Sequence, residues 1–280
     1  MKAKAYAKIN LSLDVVGKRE DGYHLLEMIM QNVDIYDELE FKICNEGIKI
    51  NCDGGKIPLN KNNLIYKAID LFFKTYDIKS GIEVSVVKNI PVAAGMAGGS
   101  ADAAVTLKCM RDMFKNDVTD EELMKLGLQI GADVPYCILG GTALCEGIGE
   151  VVTPLKSFKG KTLVVVKPNF GVSTVWVYKN IDINKIHKHP KTKELIGAIK
   201  SDDLMYVCNN MRNVLENVTI KEYPVIRKIK EQMIEYGAIG SMMSGSGPTV
   251  FGFFDDDKKA EEYYEVVKEK YDKCYITKTI

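Results

Sequence analysis

A chain of 280 residues has room for one large domain or two of ordinary size, and 46% hydrophobic with 27% charged residues suits a globular core. Thirty-eight basic residues against thirty-eight acidic ones give a formal net charge of +0, so no overall electrostatic footprint for nucleic acid is expected. No apolar run approaches the roughly 18–20 residues that span a bilayer, and Met1–Lys8 lacks the apolar core of a signal segment, so no membrane association and a cytoplasmic location are expected.

In chain order, Ala3–Val16 alternates hydrophobic and polar residues and reads as a strand, closed by a turn over Gly17–Gly22. Leu25–Val33 and Asp37–Cys52 are further strands, with Asn45–Gly47 as a hairpin connection and Asp53–Gly55 as a turn. Asn62 or Asn63 caps a helix carrying Leu64, Ala68, Leu71, Phe72 and Tyr76 at helical spacing. Ile82–Val87 is a β-branched strand run, stopped by Pro91. A helix follows the glycine-rich segment with Ala104, Leu107, Met110 and Phe114 on its apolar face, and Thr119-Asp-Glu-Glu122 is a capping box for the next. Lys161–Lys167 is a strand ended by Pro168, and helical periodicity dominates from about 191 to 236. Ala238–Met243 and Thr249–Phe254 are strands flanking Ser244–Pro248; Asp255–Asp257 cap a last helix, and Tyr275–Lys278 closes as a strand. This mixture lacks strict strand–helix alternation and predicts an α+β fold. Pro, Ser and Gly between 153 and 160 place a boundary there, giving domains 1–155 and 156–280.

The seven cysteines are scattered, odd in number and without a Cys-x-x-Cys pair, so reduced thiols and no structural metal are expected. His187 and His189 sit among Lys and Pro residues and read as a solvated turn.

The chemistry-bearing segment is Pro91-Val-Ala-Ala-Gly-Met-Ala-Gly-Gly-Ser-Ala-Asp-Ala-Ala104. Small residues let backbone N–H groups approach an anion, and the helix that follows adds its dipole. There is no Gly-Lys-Ser/Thr, so this is not a Walker loop, and any phosphate-binding lysine must come from elsewhere. The dinucleotide fingerprint fails too. Alone, the segment could also be a tight strand-to-helix connection packed by small residues, the lesser of the two readings. Three others accompany it. Lys8 and Asn10 lie among apolar residues in Ala7-Lys-Ile-Asn-Leu-Ser-Leu13, where a solvated edge position is the usual reading of such a lysine. Asp133 sits in Gly131-Ala-Asp-Val-Pro135, where a plain turn or cap is the alternative. Ser244-Gly-Ser-Gly-Pro248 is either an ordinary turn or a second lip on a phosphate site.

Taken together, Ala7–Asn10, Pro91–Ala104 and Gly240-Ser-Met-Met-Ser-Gly-Ser-Gly-Pro-Thr-Val250 stand in the order found in the GHMP kinases, which this chain resembles. Lys18-Arg-Glu-Asp-Gly-Tyr-His-Leu25, Gly131–Pro135, Glu146-Gly-Ile-Gly-Glu150 and Pro168-Asn-Phe-Gly-Val-Ser-Thr174 bring it near the branch that acts on 4-diphosphocytidyl-2-C-methyl-D-erythritol. The resemblance implies two α+β halves: a ribosomal-protein-like N-terminal domain with a mixed sheet and a ferredoxin-like C-terminal sandwich. It implies ATP as phosphoryl donor, Mg²⁺ with the nucleotide, transfer to the substrate 2-hydroxyl in the non-mevalonate isoprenoid route, and a monomer or weak homodimer.

Carried over by position, Asp133 would be the general base and Lys8 would sit beside it, holding the carboxylate ionised and countering phosphate charge. Asn10 would orient substrate. His24 would bond the cytosine, with Tyr23 and Tyr178 stacking on its ring, and Ser173, Thr174, Gly245, Ser246 and Gly247 would complete the substrate side. Pro91, Ala93, Ala94, Gly95, Met96, Ala97, Gly98, Gly99, Ser100 and Ala101 would take the ATP phosphates, with Asn63 and Lys88 lining the nucleotide pocket. The family loop has glycines where Ala93 and Ala97 stand, and a serine where Ala101 stands. Ala97 is therefore expected at ordinary negative φ, and Ser100 is left as the hydroxyl for any Mg²⁺ contact. A sister GHMP kinase, or a non-catalytic nucleotide-binding or nucleic-acid-associated module, is the competing reading.

Overall fold

In the computed structural model, which describes residues 1–54 and 57–280, the chain divides into two compact units that interleave along the sequence. The first comprises Met1–Ala7, Ile35–Val92 and Ala97–Gly140; the second comprises Lys8–Asp34, Ala93–Met96 and Gly141–Ile280. This division crosses the chain several times. Two long strands explain why: β1 (Lys2–Lys18) and β2 (His24–Cys44) each contribute residues to both units. Among the described residues no helix is long and apolar enough to cross a membrane.

In the first unit, β3 (Ile48–Asp53), helix α1 (Leu64–Thr75) and β4 (Gly81–Val87) form a parallel βαβ unit. β4 also pairs antiparallel with Glu38–Cys44 of β2, so it lies between β2 and β3. The hairpin expected at Asn45–Gly47 is therefore absent. Ile82, Val84 and Val86 are buried along β4, and burying that β-branched run at the sheet centre outweighs the local preference for a hairpin. The turn read over Asp53–Gly55 runs onto Gly55, outside the described residues. Asn63 caps α1, its Oδ1 accepting from Ile65 N at 2.9 Å. Ala68 and Phe72 are buried as expected, with Ile65 and Ile69 beside them, while Leu64, Leu71 and Tyr76 are half-buried. Helix α2 (Gly98–Phe114) packs against α1, α3 (Asp120–Leu128) and α4 (Val134–Leu139).

In the second unit, β1 lies between β2 and β8, and the hairpin of β5 (Thr142–Gly147) and β6 (Val151–Pro154) pairs with Leu26–Gln31 of β2. The remaining elements are β7 (Thr162–Lys167), α5 (Thr174–Asn180), α6 (Thr192–Ser201), α7 (Leu204–Asn210), β8 (Arg212–Asn213), α8 (Glu216–Glu222), α9 (Val225–Glu235), β9 (Gly240–Met243), β10 (Val250–Phe254), α10 (Asp257–Lys268) and β11 (Lys273–Lys278). The last sheet is antiparallel in the order β11-β7-β10-β9, with α9 and α10 packed on it. That is the β-α-β-β-α-β arrangement of ferredoxin-like domains. Residues 191–236 are mostly helical, as their periodicity predicts, interrupted where Arg212 and Asn213 pair in parallel with Ser12 and Leu13. The β5–β6 hairpin lies in a stretch that periodicity left unassigned.

The capping box at α3 is complete: Glu122 N donates to Thr119 Oγ1 at 3.2 Å, and Thr119 N donates to Glu122 Oε2 at 2.8 Å. Thr119→Ala is expected to lower the unfolding free energy by about 1 kcal/mol, measured by urea titration.

Candidate active site

Two groups of residues carry the chemistry expected from the sequence, one in each unit.

In the second unit, Lys8, Asn10, Ser12 and Asp14 follow one another at every second position of β1, and all are buried. Their neighbours Ile9, Leu11, Leu13 and Val15 are buried as well, so the strand is covered on both faces. A buried ammonium is costly unless oxygen atoms replace its water. Lys8 Nζ donates to Asn10 Oδ1 at 2.7 Å and to the Gly95 carbonyl at 3.0 Å. Ser244 Oγ reaches the same Gly95 carbonyl at 2.9 Å, and Gly245 N donates to Asn10 Oδ1 at 3.1 Å. The first half of the glycine-rich segment and Ser244–Pro248 therefore converge on one lysine. Gly95 must be glycine here, since its φ is +72° and an added Cβ would lie 2.2 Å from the Ser244 carbonyl.

Thr174 Oγ1 and Ser246 Oγ are hydrogen-bonded at 2.8 Å, while Ser173 caps α5. His24 and Tyr178 stack with centroids 5.4 Å apart, and Tyr23 is exposed. Burial, then the Lys18 charge, lowers the His24 pKa below its ordinary value, favouring the neutral ring with one donor and one acceptor nitrogen. His189, expected in a solvated turn, bonds the buried Asp14 carboxylate through Nδ1 at 2.8 Å.

In the first unit, helix α2 opens at Gly98 without a side-chain cap, leaving its first N–H groups for a ligand. Gly99 is exposed and Ser100 half-buried. A Cβ added to Gly131 would lie 3.9 Å from Ser100 Oγ, so the Gly131–Asp133 turn lies against this helix start. Asp133 precedes α4 at the cap position, yet its carboxylate makes no capping bond. It is half-buried and not occupied in holding its own helix.

Behind the helix start lies a buried ion cluster. Lys88 Nζ bonds Asp37 Oδ2, and Asp102 Oδ2 at 2.8 Å. Asp37 Oδ1 accepts from Asn89 N at 2.6 Å and Ile90 N at 2.8 Å. Asp102 Oδ1 has no partner. Burial raises the Asp102 carboxyl to about 7, Lys88 opposing and Asp37 reinforcing the shift. The ammonium of Lys88 is thus held by two carboxylates. Asn63 is likewise engaged at both ends, its Nδ2 donating to the Pro58 carbonyl at 2.6 Å while its Oδ1 caps α1. Both side chains, expected to line a nucleotide pocket, are committed to protein partners. Asp37 and Asp102 escaped the sequence reading; the signal for Asp102 was an acid inside an otherwise small and apolar helix start.

One expectation about the loop is wrong. Ala97 has φ +56° and Ala93 φ +51°, both left-handed. At Ala97 this conformation lets its carbonyl accept from Ala101 N at 2.9 Å and start α2. Anchors on either side over-determine the backbone there, and the local preference of alanine yields. Among the described residues no cluster of three or more His, Cys, Asp or Glu side chains could hold a metal ion.

Comparison with known proteins follows the same lines. The GHMP kinases N terminal domain matches residues 63–141, and the GHMP kinases C terminal domain matches residues 195–273. The chain is 63% identical over 277 residues to a 4-diphosphocytidyl-2-C-methyl-D-erythritol kinase of Clostridium novyi, covering 99% of each chain. It is 61% identical over 280 residues to the enzyme of that description in Clostridium botulinum, covering 100% of each. A crystal structure of 4-(cytidine 5'-diphospho)-2C-methyl-D-erythritol kinase aligns with a TM-score of 0.85 at 27% identity, covering 100% of this chain and 99% of that one.

Two measurements test these placements. A left-handed alanine costs about 1–2 kcal/mol, and glycine gives back about 0.5–1 kcal/mol in chain entropy. Ala97→Gly is therefore expected to stabilise the protein by up to about 1 kcal/mol in urea titrations; destabilisation would contradict the left-handed turn. The second concerns Asp102. Its folded-state value lies above the ordinary 3.8, so it contributes stability at low pH that is lost as pH rises through about 7. Asp102→Asn should flatten the fall in unfolding free energy between about pH 4 and pH 7. An unchanged slope would count against a titrating Asp102.

Proposed function

The chain belongs to the GHMP kinases, among the 4-diphosphocytidyl-2-C-methyl-D-erythritol kinases, and we propose that it transfers the ATP γ-phosphoryl group to the 2-hydroxyl of 4-diphosphocytidyl-2-C-methyl-D-erythritol, in the non-mevalonate route to isoprenoid precursors. The observation that carries this reading is the buried Lys8 ammonium, held by Asn10 and the Gly95 carbonyl. It supplies the fixed positive charge that a Walker lysine provides elsewhere.

ATP places its phosphates at the first turn of α2, where uncapped N–H groups and the helix dipole favour anions. The acceptor hydroxyl gives its proton to Asp133 as its oxygen attacks the γ-phosphorus, and the bond to the ADP oxygen breaks. Lys8 offsets the charge spread over the transferring group, which is where most of the rate enhancement arises. His24, neutral and stacked on Tyr178, reads the cytosine edge with one donor and one acceptor. Mg²⁺ neutralises phosphate charge when bound; its hard-oxygen chemistry fits the Ser100 hydroxyl, completed by water, since Asp102 is engaged with Lys88.

Purified protein is expected to release ADP only with the cytidyl substrate present. Turnover on mevalonate or homoserine in its place would move the protein to a sister family. Asp133→Asn is expected to lower kcat by roughly 10²–10⁴ with the circular dichroism spectrum unchanged, and near-normal turnover would remove the base assignment.

A further inference from the structure

We propose that Asn213 is a positioning residue for phosphoryl transfer, acting through Gly245 and Asn10 on the Lys8 ammonium; this rests on the reading of Lys8 above. Asn213 lies in a two-residue strand opposite Leu13 of β1 and is 2% exposed. Its Nδ2 donates both hydrogens to carbonyls, Met243 at 2.8 Å and Gly245 at 2.7 Å, and its Oδ1 accepts from Leu215 N at 3.0 Å. A single amide thereby pins the backbone on both sides of Ser244.

What it pins is the support of Lys8. Gly245 N donates to Asn10 Oδ1, the atom that also receives Lys8 Nζ, and Asn10 Nδ2 faces Met28 Sδ at 3.4 Å. The amide of Asn10 is thus held in one orientation by the lip. The second acceptor of Lys8, the Gly95 carbonyl, is braced by Ser244 Oγ. Both acceptors that aim the ammonium therefore depend on residues 244 and 245, and those depend on Asn213. The Glu216 carboxylate accepts from Met243 N at 2.9 Å and from Lys230, steadying the end of β9 without reaching Gly245.

Asparagine suits the position because both facing groups are carbonyl oxygens. A carboxylate of the same shape is acceptor-only and repels both, so Asn213→Asp releases the lip at nearly constant volume. The displacement reaches Lys8 as a change of aim, and a shift of about 1 Å in a catalytic group costs on the order of 100-fold in rate.

The test uses the full chain with ATP and the cytidyl substrate, comparing Lys8→Ala, Asn10→Ala, Asn213→Asp and the double variant Asn10→Ala/Asn213→Asp. We expect Asn213→Asp to lower kcat by about 10- to 100-fold with KM for both substrates within about threefold. In the Asn10→Ala background the same change should cost at least about threefold less in kcat, because the Gly245–Asn10 link is already cut and only the Ser244–Gly95 brace remains. Lys230→Ala serves as a stability control, expected to lower the melting temperature while kcat per folded molecule holds. Equal fold-losses in both backgrounds, or a parent-like kcat for Asn213→Asp, would overturn the positioning role while leaving the reading of Lys8 intact. A parent-like kcat for Lys8→Ala would overturn both. Should Asn213→Asp fail to fold, Asn213→Ser retains one donor and is subject to the same cycle.

Discussion

Removing an ammonium from water and leaving it charged is the constraint from which the second unit is built. Lys8 is 4% exposed, and hydrogen-bonded oxygens must replace the solvent it loses. They come from Asn10, two residues away, and Gly95, eighty-seven away. Ser244 and Gly245, from still farther along the chain, hold those two acceptors in place. The polar alternation of β1 is thus a buried row, and the lip at 244–248 is its clamp.

The first unit meets a similar constraint with different chemistry. Lys88 is buried between two carboxylates, and the cluster carries one acid more than it can neutralise. Asp102 has one oxygen unpartnered, and its pKa is raised by burial, with the second acid Asp37 adding to the shift. A buried pair of this kind is weak evidence for added stability; it ties Asp102 of α2 to Lys88 and, through it, to Asp37 of β2. With Lys88 and Asn63 engaged by protein, the first N–H groups of α2 remain without a side-chain cap. The result is a GHMP kinase whose loop departs from its family pattern at Ala93 and Ala97 while keeping the glycine-like backbone there.

Much of this was legible in the chain. Asn63 and Thr119 announce helix starts through bonds between neighbours, and both operate as expected. Lys8 and Asn10 stood out as polar residues in an apolar strand, and both proved buried. Other features were not legible because their partners are remote. Asn45–Gly47 looks like a hairpin until β4 takes the place beside β2. Arg212 and Asn213 look helical until β1 recruits them. Ala97 looks like an ordinary alanine until its anchors force it left-handed.

By itself, the sequence determined the α+β class, the family, the caps and the identity of the chemical groups, since these depend on residue type and on neighbours within a few positions. Tertiary structure alone decided which polar groups are engaged and which stay open: Lys88 and Asn63 held, the Asp133 carboxylate left uncapped, Lys8 aimed. It also decided that Asn213 stands behind the lysine. Hydrogen bonds to a buried charge are chosen by distance in space, and no local pattern records which distant carbonyl will arrive.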